Sequence, residues 1–559
     1  IGAGSMSKTT TGLRNTAVGN NSLICNISGT GNTAVGGTDA GTIPVMWKNT
    51  TGQCNSAFGT AALADNTTGG CNVAVGLCAL RQNTTADNNT AVGTSALAAN
   101  TTSTQNTAVG FCALATNTAG GQTAVGHNAL KAATSGYSNT AVGAFSGDAT
   151  TSGNSNVSMG YDSFTDNTTG DLNVALGRGS LANNTTADNN TAVGACALFT
   201  NTTGCCNTAV GKDALLANTT GTQNTATGIE TLVSNTTGST NNALGDRALR
   251  CNTTGSGNIG VGSWSLQNNT TGSNNTTIGK GSLFNSIAAD NNTGVGYYAL
   301  FANTADNNTA VGFCSLKANT TGTQNVAMGA YALDANTTAS QNVAIGFDSL
   351  SISTTGTANT AVGFEAARNS TTASNNTAIG FCALRTNTTG AQNTAVGCGA
   401  AVANTEGSSV TAIGRNALCS NTTACWNVAV GSGAMPTNIT GNRNVGIGHN
   451  ALSLNTTGSG NTAVGGLNPG TYPVMYANTT GSHNSALGSA ALCSNTTGDE
   501  NVALGYIAAA STTTGTRNVA IGSGAGMDAA GTNNSIAMGY NVTSIVNAVT
   551  FGNSTTDSR

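Results

Sequence analysis

One short sequence motif, called a word below, recurs along this chain at a fixed interval, and that interval constrains the fold more than any other feature. The glycine that closes each NTAVG-like word falls at Gly194, Gly211, Gly228 and Gly245, a spacing of 17. Tracing it from Gly2 to Gly539 gives 32 copies, in which two spacings are 16, two are 23 and all others are 17. A fixed period of this length predicts a repeat architecture in which each unit packs on the next.

The unit reads GKDALLANTTGTQNTAT from Gly211. The three residues before each closing glycine are Thr or Val, then Ala, then an aliphatic residue, and this period of two predicts a strand. We expect the outer two positions to face the interior and the Ala to face outward. The AL pair two residues after the glycine predicts a second short strand with an inward Leu. The NTTG word predicts a corner in which Asn and Gly accept the left-handed conformation.

These elements predict an all-β fold, a parallel β-solenoid of the left-handed β-roll type, with about 17 residues in each of 32 coils. Gly, Asn and Thr are too dense for a helix of even ten residues. Coils stacked at ~4.8 Å would form a rod of roughly 150 Å, with aliphatic and Asn ladders along it. We expect a repetitive shaft over 1–539, with six-residue insertions within 37–58 and 466–487, and a C-terminal capping or transition segment over 540–559.

Composition excludes several classes of function. Only 7% of the 559 residues are charged and the net charge is −4, without a Lys/Arg cluster, so we expect no nucleic-acid partner. No apolar run approaches the ~20 residues of a membrane span, so we expect no membrane insertion. Four prolines and 38% hydrophobic residues argue against disorder. The opening IGAGS carries neither Met nor a signal peptide, which favours a processed or partial product.

The predicted core of one coil is thin, because only about three aliphatic side chains per coil point inward. Burial between chains would add to it, and the predicted outward Ala ladder is flat and apolar enough to pack against another copy. The sequence therefore favours a homo-oligomer, most simply a homotrimer.

The words QNVAIG (Gln341–Gly346), QNTAVG and SNTAVG resemble the NSVAIG-type repeat in the head domains of trimeric autotransporter adhesins. The fuller pattern, NTAVG..AL..NTTG..NTAVG, is similar to repeat regions of fibre proteins in marine bacteriophages and large algal viruses. The resemblance covers essentially the whole chain. It implies a β-roll that trimerises around a long axis and acts in attachment. The unit of 17 residues is longer than the usual adhesin-head repeat, which leaves coil shape and handedness open.

The 15 cysteines include two at the same position of consecutive coils, Cys54 and Cys71. Their α-carbons should lie ~4.8 Å apart, inside the disulfide range of ~4.4–6.8 Å, so a bridge between them is one interpretation. The other is that Cys fills a slot for small residues. No CxxC pair has partner spacing, so no metal site is predicted. The odd, scattered count favours assembly in a reducing compartment.

Signals of catalysis are missing from the sequence. The three histidines, His127, His449 and His483, are far apart and lack acidic or Ser partners in register, so no catalytic residue and no cofactor are predicted. The abundant NTT words fit N-glycosylation sites, but corner chemistry explains them as well. Regular Thr arrays raise ice binding as a further hypothesis, which is disfavoured because these Thr residues are predicted at corners.

The two 23-residue coils carry almost the same unusual words, TIPVMWK from Thr42 and TYPVMYA from Thr471. Three of the four prolines, Pro44, Pro469 and Pro473, lie here, and Pro removes a ladder donor, which predicts loops that leave the sheet. Large apolar tips on a Thr/Asn surface predict either a cover over a groove between chains or a contact with a ligand or host surface. The candidate contact residues are Pro44, Val45, Met46, Trp47, Pro473, Val474, Met475 and Tyr476.

Together these features predict a structural protein and not an enzyme: a fibre shaft that attaches a virus or phage particle to a host surface. The alternative is an extracellular trimeric adhesin or filament subunit of a cell surface. The expected partners are other copies of the chain and a host cell-surface glycan or protein. The expected location is extracellular or on the virion surface.

Overall fold

A computed structural model describes residues 1–37, 42–466 and 472–553, and the backbone of residues 556–558. The chain divides into two compact units, Ile1–Ile278 and Gly279–Arg559. Both units are built from the same turn, in which a three-residue strand precedes the closing glycine of each repeat.

The strands of the first unit are β1 (Thr16–Val18), β2 (Thr33–Val35), β3 (Ser56–Phe58), β4 (Val73–Val75), β5 (Thr90–Val92), β6 (Thr107–Val109), β7 (Thr123–Val125), β8 (Thr140–Val142), β9 (Val157–Met159), β10 (Val174–Leu176), β11 (Thr191–Val193), β12 (Thr208–Val210), β13 (Thr225–Thr227), β14 (Asn242–Leu244), β15 (Ile259–Val261) and β16 (Thr276–Ile278).

The strands of the second unit are β17 (Thr293–Val295), β18 (Thr309–Val311), β19 (Val326–Met328), β20 (Val343–Ile345), β21 (Thr360–Val362), β22 (Thr377–Ile379), β23 (Thr394–Val396), β24 (Thr411–Ile413), β25 (Val428–Val430), β26 (Val445–Ile447), β27 (Thr462–Val464), β28 (Ser485–Leu487), β29 (Val502–Leu504), β30 (Val519–Ile521), β31 (Gly526–Met527), β32 (Ile536–Tyr540), β33 (Thr543–Ser544), β34 (Val549–Asn553) and β35 (Thr556–Ser558).

Within each unit, every repeat strand pairs in parallel with the strand of the next turn, without slippage. Ala74 of β4 pairs with Ala91 of β5, and the Thr90 amide donates a 2.8 Å hydrogen bond to the Asn106 carbonyl of the following turn. The prediction of an all-β parallel β-solenoid with about 17 residues per turn is confirmed, and the described residues contain no helix. The count is about 31 turns and not the predicted 32, because the 32 repeat glycines enclose 31 intervals.

The prediction of a second strand at the AL pair is wrong. Leu80 and its equivalents adopt the left-handed conformation, with φ of +48° at Leu80, and form part of a tight turn. The Leu80 amide still donates to the carbonyl of Ala96 in the next turn, at 2.9 Å. The leucine side chains are fully buried, so the expected inward direction is confirmed. A non-glycine residue accepts this conformation here because stacking and burial hold it from both sides.

The expected direction of the strand side chains is also wrong. The central Ala of each strand is buried and the flanking residues face outward: Ala344 is fully buried, whereas Val343 is half-buried and Ile345 is 37% exposed. The interior is narrow at this position, because a Cβ built on Gly294, which replaces Ala in β17, would already lie 3.6 Å from Leu300 Cδ1. Only small side chains fit between the strand and the inward Leu, so the β-branched residues lie outside.

Two hydroxyl-bearing exceptions in the central position have polar partners inside the coil. Ser158 lies 2.7 Å from Ser146 Oγ, and Thr277 lies 2.7 Å from Ser265 Oγ. A buried hydroxyl costs stability unless it is hydrogen-bonded. These pairs therefore confirm that the central position faces the interior.

The predicted Asn ladders are present and buried. Asn66 Nδ2 donates to Asn49 Oδ1 at 2.7 Å, and Asn83 Nδ2 donates to Asn66 Oδ1 at 2.8 Å. A second ladder precedes the strands, where Asn72 Nδ2 donates to Asn55 Oδ1 at 3.1 Å. These buried side-chain amides find hydrogen-bond partners in one another, which the small apolar core could not supply.

The corner glycine of the NTTG word has a different role from the predicted one. Gly69 has no left-handed backbone, but a Cβ there would clash with the carbonyl oxygen of Ala86 in the next turn and lie 2.6 Å from Asn66 Oδ1. The glycine therefore permits close approach between turns. The left-handed corner residue is the exposed one two positions later in the loop, such as Asn88, with φ of +62°.

The last part of the chain extends the ladder and then reverses. β34 pairs in parallel with β32, and β35 turns back to pair antiparallel with β34. β31 and β33 form a separate two-stranded parallel pair. The shaft boundary at residue 539 remains a prediction.

Candidate interaction surfaces

The two 23-residue coils keep the register of the solenoid. The Ala61 amide donates to the Ile43 carbonyl at 3.1 Å, just as the Cys78 amide donates to the Thr60 carbonyl at 3.0 Å one turn later. Ile43 therefore occupies the position directly after the closing glycine. The extra residues of this coil are therefore 37–42. The segment PVMWK, residues 44–48, occupies positions that every ordinary turn also has. Residues 38–41 and 467–471, including Pro469, lie outside the described residues.

This register corrects the predicted surface contacts. Val45, Met46, Val474 and Met475 are fully buried, because they replace the Ala–Leu pair of an ordinary coil, and Met46 has the same left-handed φ of +46°. The buried prolines are Pro44 and Pro473. These six side chains belong to the core and cannot form a surface contact. For the partly exposed Trp47 and Tyr476, a surface role stays a prediction.

The first insertion coil presents a small polar and aromatic surface beside Trp47. Lys48 forms a 2.7 Å ion pair with Asp65 of the next turn, and its Nζ lies 5.7 Å from the centre of the Trp47 ring. Trp47 also lines a cavity of about 270 Å³ with Ile24 and Ile43. In the second insertion coil, the Tyr476 ring lies 5.4 Å from that of Tyr472.

Cys54 and Cys71 lie at one corner of consecutive turns and are both exposed, unpaired thiols. They line the same shallow cavity of about 340 Å³, together with Asp87 and Asn88 of the following turn. The arrangement keeps the disulfide prediction open, and other corner residues such as Gln105 fill the same position elsewhere.

The flanking residues of the strands form a surface, although the alternation in the sequence predicted them to lie inside. We call the outward side chains at the first and third positions of β1–β30 the strand face. Among these described strands it carries no charged residue. Its third position is apolar in almost every strand, and the residues there include Ile345, Ile379, Ile413 and Ile447 at 37–40% exposure. Within each unit this row of exposed apolar side chains is a candidate contact surface, because large exposed apolar patches are typical of interaction sites.

A second exposed feature lies at or next to the position directly after the closing glycine. In the second unit we call it the aromatic ladder, and its members are Tyr297, Phe313, Tyr331, Phe347, Phe364 and Phe381. Successive ring centroids are 5.2–6.1 Å apart, and all six rings are 38–55% exposed. The sequence prediction missed this ladder, and the signal that could have found it is the clustering of Phe and Tyr near one register.

Charged side chains flank the aromatic ladder in pairs. Arg368 Nε lies 3.4 Å from Asp348 Oδ2, and in the next turn Arg385 Nε lies 2.9 Å from Glu365 Oε2. Tyr331, Phe347, Asp348 and Arg368 line a groove of about 330 Å³, together with Asp334. Burial raises the pKa of Asp334 to about 6, and the nearby Asp348 carboxylate adds to this rise.

All three histidines, His127, His449 and His483, are exposed. His127 stacks on Phe111 with ring centroids 5.3 Å apart. Within the described residues there is no group of three or more His, Cys, Asp or Glu side chains that could hold a metal ion. In the part of the chain that the structure covers, no helix has the length and apolarity to span a membrane.

The asparagine that begins each NTT word is inside the fold. Asn66 and Asn83, for example, are fully buried in the ladder and use their side-chain amides as donors. A glycan on such an amide is incompatible with the folded turn. The ladder role of these words therefore accounts for their recurrence.

Models of known protein families give no match to this chain, and neither do curated proteins.

Proposed function

We propose that this chain is the shaft of a homotrimeric fibre that attaches a virus or phage particle to a host surface. The observation that carries the proposal is the strand face. It offers an uncharged, mostly apolar surface that repeats once per turn in each unit. A surface with this repeat is best matched along its length by another copy of the same chain, because only then do the ladders coincide at every turn.

The chemistry of the strand face supports burial between chains more than contact with water. Rows of Val and Ile beside Thr present methyl groups on a parallel sheet, and their removal from water is favourable in proportion to the apolar area buried. Each turn contributes little, but the contributions repeat along the array. From the sequence we expected the chains to pack through the Ala ladder. Because these Ala side chains lie inside the coil, we place the contact between chains on the strand face instead.

A fibre of this kind would act mechanically. It would separate a tip from a particle and present many equivalent surface positions, so that weak contacts with a host surface add through multivalency. The exposed aromatic side chains provide such positions.

The oligomer is tested first. Light scattering coupled to gel filtration should give the mass of three chains for the wild type. The double variant Ile379→Lys/Ile413→Lys places two charges on the strand face and should shift the mass to one chain. The matched control Gln392→Lys adds a charge at an exposed corner and should leave the mass unchanged. A wild type that stays monomeric at micromolar concentration would refute self-association.

The particle role is tested separately by immunogold electron microscopy with antibodies against the chain. Gold on fibres projecting from virions supports the proposal. Gold on filaments of a cell surface instead supports the alternative, an extracellular adhesin or filament subunit. Label on neither structure contradicts both.

A further inference from the structure

The aromatic ladder is continuous in space although its register in the sequence is not. Between Phe313 and Phe347, the position after the closing glycine is Ala330, which has no ring. The next residue, Tyr331, supplies the ring instead, 5.3 Å from Phe313 and 6.1 Å from Phe347.

In the first unit, too, a ring is supplied by the residue that follows the usual position. There Ala144 takes the position after the glycine, and Phe145 fills the gap between His127 and Tyr161, with centroids 5.0 and 6.1 Å away. An unbroken row of rings along the stacking direction is useful to a partner that extends along that direction.

The rings remain available for contact even though they touch one another. The stacked pairs have centroid distances of 5.2–5.5 Å and interplanar angles of 7–12°. Carbon atoms in contact lie ~3.5–4.0 Å apart, so these rings are offset and each leaves part of a face uncovered. Phe364 is 42% exposed and Phe381 is 55% exposed. The ladder is therefore a row of partly free rings, one per turn, in which Tyr331 stands edge-on to Phe313 and Phe347, at 73° and 88°.

The charges beside the ladder are balanced. Asp348 pairs with Arg368 and Glu365 pairs with Arg385, which leaves no excess of positive charge along this stretch. Single-stranded nucleic acids and other polyanions bind aromatic rows only where basic residues neutralise their phosphates or sulfates. A peptide that binds by strand addition would need a free sheet edge, and the ladder lies on a turn. A proline-rich peptide repeats every ~9 Å, three residues at ~3.1 Å each, which does not match rings 5.2–6.1 Å apart. The surface therefore fits a neutral, linear, polar chain.

We propose that the aromatic ladder binds an uncharged polysaccharide laid along the stacking direction. Sugar rings would stack on the near-parallel rings of Phe347, Phe364 and Phe381 and contact the edge-on ring of Tyr331. The ring spacing is close to the length of one sugar unit in an extended polysaccharide, so the two repeats can stay in phase. In the groove between Tyr331 and Phe347, the carboxyl groups of Asp334 and Asp348 and the guanidinium of Arg368 lie within reach of sugar hydroxyls. A small number of polar groups beside apolar walls is the usual composition of a ligand site.

This proposal names a ligand class for the attachment role and rests on the proposed function only for its biological setting. Polysaccharide binding and fibre assembly use different residues, namely the aromatic ladder and the strand face. Loss of one therefore leaves the other measurable.

The test is affinity electrophoresis of the full chain in gels that contain hydroxyethyl cellulose, a β-1,3-glucan or galactomannan, with dextran sulfate as the polyanion probe. The wild type should be retarded by at least one of the neutral polymers and not by dextran sulfate. Phe364→Ala and Tyr331→Ala should each weaken the binding by about fivefold to tenfold, since each removes one stacking surface from the row. Tyr506→Ala, which removes an exposed ring outside the ladder, should leave the affinity within about twofold.

Thermal unfolding and light scattering of the same variants separate binding from folding and assembly. Retained folding and oligomer mass with weakened polysaccharide retention would support the proposal. No retardation of the wild type by any neutral polymer would overturn it, as would retardation by dextran sulfate alone. A change of oligomer mass in Phe364→Ala, without a change in retardation, would assign the ladder to contact between copies and would also overturn it.

Discussion

Asn478 Nδ2 donates a 2.8 Å hydrogen bond to Asn455 Oδ1, although the two residues are 23 positions apart in the chain. In an ordinary turn the same bond joins residues 17 apart, as between Asn495 and Asn478 at 2.7 Å. The ladder therefore runs through the longer coil unbroken.

Deletion of residues 37–42 should leave the solenoid intact. Ile43 already occupies the position after the closing glycine, so the shortened coil has the standard 17 residues. Loop closure entropy depends weakly on length, and we expect the free energy of unfolding to change by less than about 1 kcal/mol. Denaturant unfolding measures this. Deletion of residues 78–83, which removes Leu80 and Asn83 from an ordinary coil, is the control and should unfold the chain locally. Equal losses in both deletions would contradict the assigned register.

Ala344→Leu should destabilise the fold, because the central strand position faces a narrow interior. Overpacking of a close-packed core costs ~1–3 kcal/mol. Ile345→Leu, one residue along and outward, is the matched control and should change stability by less than about 0.5 kcal/mol. The free energy of unfolding from denaturant titration compares the two. A tolerated Leu at 344 combined with a damaging Leu at 345 would show that the strand faces the other way.

Ser353→Asn should stabilise the second unit by repairing a gap in the Asn ladder. Asn336 Oδ1 and Ser353 Oγ are both buried without a hydrogen-bond partner, because Ser is too short to reach across the turn. An Asn at 353 can donate to Asn336, and a restored buried hydrogen bond contributes about 1 kcal/mol. The reverse change, Asn404→Ser, removes the 2.8 Å bond to Asn387 and should cost a similar amount. Denaturation midpoints that do not move in opposite directions would contradict the ladder's role.

Asp334→Asn should stabilise the protein at neutral pH but not in acid. Burial raises the pKa of this carboxyl from 3.8 to about 6, so the folded state holds the proton more tightly than the unfolded state does. Stability then falls as the pH rises from about 4 to about 6 and stays lower above that. The Asn variant lacks this loss. Its unfolding temperature should exceed that of the wild type at pH 7.5, and the difference should shrink below pH 4. A difference independent of pH would contradict burial of the charged carboxylate as the cause.

Mild oxidation should join Cys54 to Cys71, since they occupy one corner of consecutive turns and both are exposed. Peptide mapping without reduction should find the linked pair, and Cys71→Ser should abolish it. A product in which Cys54 is linked only to other cysteines would contradict the prediction.

The sequence by itself determined the period, the position of the strand before each closing glycine and the Asn ladders. The 17-residue spacing, the three-residue alternation before each glycine and the recurring Asn need no tertiary information, because each follows from local geometry repeated in register. A comparison of the repeats with one another also indicates which position of the strand faces the interior. The central position stays small along the chain, as at Ala344, Gly294 and Ser158, while its neighbours vary in size.

The tertiary structure decided which side of each strand is inside and which residues of the first longer coil are the extra ones. An alternation of period two is compatible with either face of the strand pointing inward, so the pattern does not determine which residues are buried. The choice depends on the width of the coil, and the inward Leu leaves room for little more than a Cβ opposite the strand. Likewise, TIPVMWK looks like a surface loop because its residues are unusual. The Leu23 amide nevertheless donates to the Val45 carbonyl and the Met46 amide donates to the Ala62 carbonyl, and both side chains are buried in the core. Register across turns, and not residue type, determines burial in this protein.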